Sequence, residues 1–176
     1  MRRQSREMAL GGMLSALALV ILLLGGVIPL ATYCCPMLAI LVLLPVQEDC
    51  GPRLSFTAWA AVSLLALMLV ADRELCLFYV FFGLYPLLRP KLNALRSRAL
   101  RLLLKIAYCS LATLLIYALL IFVLGLEAVA ADFQGISALM ALAMLILDNV
   151  TFLLLDVLIG QVRMLWLHRF RKRFFQ

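Results

Sequence analysis

Charged residues are scarce in this sequence. Asp, Glu, Lys and Arg together make up 14% of the 176 residues, whereas hydrophobic residues make up 66%. Soluble globular domains carry about 25% charged residues, so the composition excludes an ordinary water-soluble fold. The mean hydropathy is +1.11, which indicates that most of the chain lies in a lipid bilayer.

Residues that hold metals or perform catalysis are also few. The chain has one histidine, and its five cysteines include no CxxC pair and no zinc-ligand spacing. The sequence contains no Walker motif for ATP, so any use of ATP must come from partner proteins. The sequence therefore predicts a protein that is not an enzyme and that uses no metal and no cofactor.

Two aspartates in the last apolar segment, Asp148 and Asp156, raise the question of an intramembrane aspartyl enzyme. On an α-helix, these positions are separated by about 12 Å along the axis and by about 80° around it. A catalytic pair needs both carboxyl groups at one point, so this spacing argues against such a site.

Positive charge is concentrated in three segments. The net charge is +7, and most of the Arg and Lys residues lie at the N-terminus, in 89–101 and in the C-terminal tail. Basic clusters that flank apolar segments are typical of the cytoplasmic ends of membrane helices. The chain lacks the extended soluble surface of a nucleic-acid-binding protein. We therefore expect both termini and the 89–101 segment on the cytoplasmic side.

Six apolar segments predict an all-α fold, a polytopic membrane helical bundle with about six transmembrane helices. We expect a single integral membrane domain over 1–176, multi-pass in a bacterial cytoplasmic membrane. Its end, 163–176, is predicted to be a basic amphipathic cytoplasmic tail with Trp166 as an interfacial anchor. The predicted segments are 8–30, 37–46, 54–71, 75–88, 102–125 and 136–168.

The second segment, 37–46, is short for a membrane crossing, and it stops at Pro45. It is a tilted crossing, a crossing flanked by partly buried turns, or a re-entrant segment. The number of crossings between the cytoplasmic N-terminus and the cytoplasmic 89–101 segment must be even, which favours a crossing. Arginines precede the first segment as in a signal peptide, but its length from Met8 to Leu30 favours a retained helix.

Polar side chains inside membrane segments are costly and each needs a reason. Lys105 and Asp156 lie at similar depth if the fifth and last segments are antiparallel, which predicts a structural ion pair. Asp148 and Asn149 lie nearer the middle of the membrane and are candidates for a ligand cavity or an ion path. Hydrogen bonding between helices explains Asn149 equally well.

The fourth segment is rich in aromatic residues. Ordinary packing explains most of these rings. The hydroxyl of Tyr79, however, lies in the outer half of the segment and requires a partner. We therefore predict that Tyr79 contributes to ligand binding.

Small residues open the first segment. Gly11 with Ser15, and Gly12 with Ala16, are small-xxx-small pairs, which let another helix approach closely. The functional interpretation is docking of a partner subunit, and the alternative is packing within the bundle.

In layout, the chain resembles the substrate-binding (S) components of energy-coupling-factor transporters, which are ABC transporters. The resemblance rests on the chain length, six predicted helices with both ends inside, the short second segment and the small-residue run 9–16. It implies a membrane-embedded subunit that binds a small, vitamin-like nutrient for uptake. It also implies a transmembrane scaffold subunit docked on the first helix, and two ABC-type ATPases that drive transport.

The resemblance implies a ligand site near the outer face of the membrane. In that family the ligand is held by the loop after helix 1, by the connections between helices 3 and 4 and helices 5 and 6, and by the inner faces of helices 4 and 6. The matching positions in this chain are Thr32, Tyr33, Asp72, Arg73, Glu74, Tyr79, Asp148 and Asn149.

Two other functions are compatible with this sequence. A non-transport membrane scaffold or assembly protein would have no pocket and would act through the first helix or the basic 89–101 segment. A proton-coupled carrier would use Asp148 as its titrating group, and Asp148→Asn would then change its activity and its pH dependence.

Overall fold

The computed structural model of this chain describes residues 2–28, 31–94, 97–122, 138–166 and 168. These residues form helices joined by short connections, and this part of the chain contains no strand. The all-α prediction is therefore confirmed for the described residues. The helices are α1 (Arg2–Gly25), α2 (Cys34–Leu69), α3 (Arg73–Gly83), α4 (Tyr85–Asn93), α5 (Arg98–Phe122) and α6 (Ala138–Leu165).

Within the described residues, five helical stretches are long and apolar enough to cross a membrane. A membrane crossing needs about 20 predominantly apolar residues in one helix. The chain therefore has the helical composition of a multi-pass membrane protein. The stretches are Glu7–Gly25, Cys34–Leu69, Arg73–Asn93, Arg98–Ile121 and Leu142–Leu165.

The exposed faces of these helices are apolar. Met13 of α1 is 70% exposed, Met68 of α2 is 77% exposed and Leu114 of α5 is 66% exposed. Large apolar patches on a soluble protein mark interaction or aggregation sites. On helices that are long and apolar enough to cross a membrane, such faces are compatible with a lipid-facing surface.

The helix α2 folds back on itself at Gly51. This residue has φ 86° and ψ 171°, a backbone region that glycine alone occupies readily. A Cβ atom built on Gly11 of α1 would lie 3.4 Å from Leu54 Cδ2 and 3.9 Å from Val46 Cγ1. Residues on both sides of Gly51 therefore meet the same point of α1.

Residues on both sides of Gly51 also meet at the C-terminal end of α1. A Cβ atom on Gly25 would lie 2.6 Å from Cys35 Cβ, and one on Gly26 would lie 2.8 Å from Val70 Cγ1. A straight helix would hold Cys35 and Val70 about 52 Å apart. The two arms of α2, 34–50 and 52–69, are therefore antiparallel, and each is about 26 Å long.

The predicted end of the second segment at Pro45 is wrong. The helix continues through Pro45 to Cys50, just before the turn at Gly51. Membrane helices tolerate proline where neighbouring groups satisfy the freed backbone carbonyl. The first arm is therefore longer than the apolar run 37–46, because the polar residues after Pro45 remain helical.

The predicted end of the fourth segment at Pro86 is also wrong. Leu84 separates α3 from α4, and Pro86 is the second residue of α4. A proline in the first turn of a helix removes an N–H group that has no intrahelical acceptor there. The chain therefore continues as a helix to Asn93.

The chain divides into two compact units, Met1–Pro90 with Val157–Gln176, and Lys91–Asp156. In the first unit, α1, both arms of α2, α3 and α4 contribute the fully buried side chains of Leu22, Val46, Val62, Leu75, Tyr79 and Tyr85. In the second unit, α5 and residues 138–156 of α6 contribute those of Ile116, Leu120, Phe152 and Leu155. The single membrane domain over 1–176 stays a prediction.

Candidate functional site

In the first unit, the connection before α2 meets the turn before α3. Thr32 Oγ1 donates a hydrogen bond to Asp72 Oδ2 at 3.4 Å, and the backbone N–H of Leu75 donates to Asp72 Oδ1 at 3.2 Å. Asp72 is thus the N-cap of α3, where a carboxylate accepts from an otherwise unsatisfied amide. The same side chain joins two segments that are 40 residues apart.

Aromatic rings lie beside this contact. The ring of Tyr33 packs against Phe78 of α3 with a centroid distance of 4.8 Å and a tilt of 58°. Phe78 in turn stacks on Phe82 at 5.5 Å. Tyr33 is 42% exposed, so one side of its ring faces outward from the unit. The connection before α2 is therefore attached to α3 by a hydrogen bond and by a ring contact.

Arg73 and Glu74 complete this end of the unit. The guanidinium of Arg73 donates to the backbone oxygen of Leu67, one of the last carbonyl groups of α2. A cation at this position also interacts favourably with the negative end of a helix dipole. Glu74 lies in the first turn of α3, where an acidic side chain is favourable for the opposite reason. We call Thr32, Tyr33, Asp72 and Arg73 the α2–α3 junction.

Tyr79 lies deeper in the first unit and is fully buried. Its hydroxyl has no hydrogen-bond partner among the residues that the structure describes. The same holds for Ser63 Oγ and Trp59 Nε1 on the second arm of α2. The hydroxyl of Tyr79 was predicted to require a partner, whereas no such prediction was made for Ser63 or Trp59.

Helix α3 packs antiparallel to the second arm of α2. Cys76 Sγ donates to the backbone oxygen of Ala66 at 3.3 Å, which places these residues opposite each other. Two turns further along, a Cβ atom on Gly83 would lie 2.8 Å from both Cδ1 and Nε1 of Trp59. Glycine at position 83 therefore makes room for the indole ring.

Asp148 and Asn149 lie in the second unit, whereas the α2–α3 junction and Tyr79 lie in the first. The Thr113 hydroxyl donates to Asp148 Oδ2, and Cys109 Sγ lies 3.6 Å from the same oxygen. Asn149 Nδ2 donates to Ser110 Oγ at 3.2 Å. Both side chains thus make contacts between α5 and α6, which is the packing interpretation of Asn149.

The second unit also contains the ion pair expected from the sequence. Lys105 Nζ lies 2.5 Å from Asp156 Oδ2, and the two side chains are only 10% and 13% exposed. Thr113 and Asp148 make the corresponding contact two turns away. The two contacts are equally far apart along α5 and along α6. This is expected when α5 packs antiparallel on α6, because residues at i and i+4 of one helix face the same neighbour.

The small residues of α1 divide between two faces. Gly11 is buried, and a Cβ atom there would contact Leu54 at 3.4 Å. Ser15 is half-buried, whereas Gly12 and Ala16 are exposed, and a Cβ atom on Gly12 would meet nothing within 4 Å. The Gly11/Ser15 pair therefore packs within the first unit, and Gly12 and Ala16 form a small-residue face on its surface.

Polar contacts at the Gly51 turn involve the end of α6. Arg163 Nε lies 2.8 Å from Glu48 Oε1, and Trp166 Nε1 donates to Asp49 Oδ2 at 2.7 Å. The sequence indicated an interfacial role for Trp166 and gave no partner for it. Of the predicted tail 163–176, residues 163–166 and 168 are described, and the others lie outside the described residues.

The described residues contain no group of three or more His, Cys, Asp or Glu side chains that could hold a metal ion. Comparison with known proteins adds no assignment, because no protein-family model, curated protein or solved structure matches the chain. The candidate site therefore rests on its geometry alone.

Proposed function

We propose that this chain is a membrane-embedded subunit that binds a small solute for uptake, with transport driven by partner ATPases. The proposal rests on the arrangement of residues at the α2–α3 junction. Four residues predicted to bind ligand, Thr32, Tyr33, Asp72 and Arg73, lie together at one end of the first unit, with polar groups and an exposed ring. This combination of an aromatic surface and few polar groups is typical of small-molecule sites.

The proposed topology has six crossings, with both termini in the cytoplasm. Reversal at Gly51 supports it, because each arm of α2 is about 26 Å long and the hydrocarbon core is about 30 Å thick. Cys50 Sγ lies 3.6 Å from the backbone oxygen of Glu7, so the Gly51 turn and the N-terminal part of α1 lie at one end. The α2–α3 junction lies at the other end. With the basic N-terminus inside, the junction faces outside, where a nutrient arrives.

The exposed small-residue face of α1 is the proposed docking site for a transmembrane scaffold protein. Gly12 and Ala16 leave the α1 backbone accessible along one turn. In membranes, helices associate through small residues that permit close packing of their backbones. The partner that fits this face is a membrane helix with small residues of its own, and the ATPases would bind the scaffold.

Native mass spectrometry of the protein in mild detergent tests solute binding. We expect one small-molecule adduct of constant mass on the wild-type protein. Thr32→Val should lower the adduct occupancy several-fold, because it removes the hydroxyl group that contacts Asp72. Thr57→Val is the matched control, since the Thr57 hydroxyl donates only to the nearby backbone oxygen of Leu54 at 2.9 Å on an exposed surface.

Two results would contradict solute binding at the junction. One is wild-type protein without any adduct of constant mass. The other is equal adduct occupancy in wild-type protein, Thr32→Val and Thr57→Val.

A further inference from the structure

Helix α3 and the second arm of α2 together contain three polar atoms that have no hydrogen-bond partner. They are Trp59 Nε1, Ser63 Oγ and Tyr79 Oη, and the absence of partners refers to the described part of the chain. Tyr79 is 0% exposed and Ser63 is 6% exposed. Buried polar groups in proteins are nearly always hydrogen-bonded. Three unpaired polar atoms in one helix pair therefore need an explanation.

The register of the two helices places these three residues on facing sides. Trp59 and Ser63 are one turn apart on the second arm of α2, and Tyr79 is one turn before Gly83 on α3. A Cβ atom on Gly83 would lie 2.8 Å from Trp59 Nε1 and 3.9 Å from Tyr79 Cε2, so both rings approach the same point. Because the helices are antiparallel, with Cys76 opposite Ala66, the next turn places Ser63 opposite Tyr79.

Polar atoms without hydrogen-bond partners are especially unfavourable inside a membrane. In the hydrocarbon region no bulk water is present to satisfy buried polar groups, so each must find a partner within the protein or on a ligand. The three residues lie on facing sides of the two helices, and none of the three polar atoms bonds to another. An atom that sits among them and accepts hydrogen bonds would satisfy all three.

The donors define the chemistry of that atom. An indole N–H group donates and never accepts, and the Ser and Tyr hydroxyl groups can both donate as well. Their common partner is therefore an oxygen with available lone pairs, as in a carbonyl or amide group. A charged oxygen is disfavoured, because residues 54–71 and 75–88 contain no charged residue to compensate it.

We propose that Trp59, Ser63 and Tyr79 bind the carbonyl or amide oxygen of a small uncharged solute. This inference rests on the proposed solute-binding function and gives the chemical class of the solute. The α2–α3 junction would then be the entrance, and the three donors would fix the solute between the second arm of α2 and α3.

The fluorescence of Trp59 provides a direct test in the full chain. The chain has two tryptophans, so Trp166→Phe leaves Trp59 as the only indole. The probes are benzamide and the smaller N-methylacetamide, which carry an uncharged amide oxygen, and benzoate serves as the charged comparison. We expect a saturable change of Trp59 emission with at least one amide, and none with benzoate.

Variants on the Trp166→Phe background identify the donors. Ser63→Ala and Tyr79→Phe each remove one hydroxyl and should weaken amide binding about fivefold, as expected for one lost hydrogen bond. Ser55→Ala is the control, because Ser55 is a buried serine two turns away on the same arm. It should leave amide binding unchanged.

Two outcomes would overturn the proposal. The first is no saturable change with either amide, and the second is equal amide binding in the Ser63→Ala, Tyr79→Phe and Ser55→Ala variants. If amide binding fails while the wild-type protein still carries its adduct, the solute-binding function stands and only this assignment falls.

Discussion

Lys105 Nζ lies 2.5 Å from Asp156 Oδ2, and this ion pair joins α5 to α6 within the second unit. Both side chains are nearly buried, in helices whose other faces are apolar. A charge buried without its counter-ion is far more costly than the pair itself. Replacing one of the two residues alone should therefore destabilise the protein, whereas replacing both together should be tolerated.

Replacing Lys105 alone should destabilise the protein. Lys105→Met leaves the Asp156 carboxylate without its cation, and breaking a buried pair in this way costs about 3–5 kcal/mol. The double variant Lys105→Met with Asp156→Leu should recover most of this loss. Unfolding in mixed detergent micelles measures both. Equal instability of the single and the double variant would show that the contact has no such role.

Gly51→Ala should destabilise the first unit. The φ of 86° and ψ of 171° at Gly51 are strained for any residue with a Cβ atom, and such strain costs about 1–3 kcal/mol. No atom lies within 4 Å of a Cβ at this position, so the penalty comes from the backbone alone. The change in thermal unfolding temperature measures it.

Gly12→Ala is the matched control for Gly51→Ala. A Cβ atom on Gly12 also meets nothing within 4 Å, but Gly12 is helical. Alanine should therefore be neutral or slightly stabilising there, because it favours the helix by about 1 kcal/mol over glycine. If both variants unfolded at the same temperature, the turn at Gly51 would not depend on glycine.

Gly83→Ala should disturb the packing of Trp59. The new methyl group would lie 2.8 Å from the indole, which forces the ring or α3 to shift. Overpacking of this kind costs about 1–3 kcal/mol. We expect a lower unfolding temperature and a shifted Trp59 emission in the Trp166→Phe background.

A smaller ring should rescue Gly83→Ala. Adding Trp59→Phe removes the indole atoms that the new methyl group would meet, so the stability of the double variant should exceed that of Gly83→Ala alone. A double variant that is no more stable would show that another neighbour of Gly83 is responsible.

Asp72→Ala should weaken the N-terminus of α3. Loss of an N-cap costs about 1 kcal/mol, and the contact with Thr32 is lost as well. Asp72→Ser retains a capping oxygen but is too short to keep both contacts. Serine should therefore restore stability more than it restores adduct occupancy in native mass spectra. Equal recovery of both would show that the cap alone matters for solute binding.

Much of the fold follows from the pattern of apolar and charged residues. The apolar runs located the helices, and the basic clusters supplied the expected orientation. The Lys105–Asp156 contact could be predicted because two antiparallel helices with one cation and one anion at similar depth have few alternatives. The helix boundaries predicted at Pro45 and Pro86 were wrong for two reasons. A membrane helix can continue through a proline, as at Pro45, and a proline in the first turn, such as Pro86 in α4, removes no intrahelical hydrogen bond.

The buried donors could not be predicted from the sequence. Ser63 and Trp59 look like ordinary residues of an apolar helix, and only the face that meets α3 gives them significance. The Trp166–Asp49 contact is similar, since it joins residues that are 117 positions apart. Local patterns contain no information on such pairs, which depend on how the Gly51 turn and the end of α6 are placed.

We propose that the chain is a solute-binding subunit of a larger transport complex. Purification of the tagged protein in mild detergent, followed by mass spectrometry of the copurifying proteins, tests it most directly. The comparison includes wild type, the double variant Gly12→Leu with Ala16→Leu, and the control Ala61→Leu at an exposed small residue of α2. We expect a multi-spanning scaffold protein and two ABC-type ATPases to copurify with wild type and Ala61→Leu, and not with the double variant. An intact, monodisperse wild-type protein that copurifies without ATPases would rule out this function.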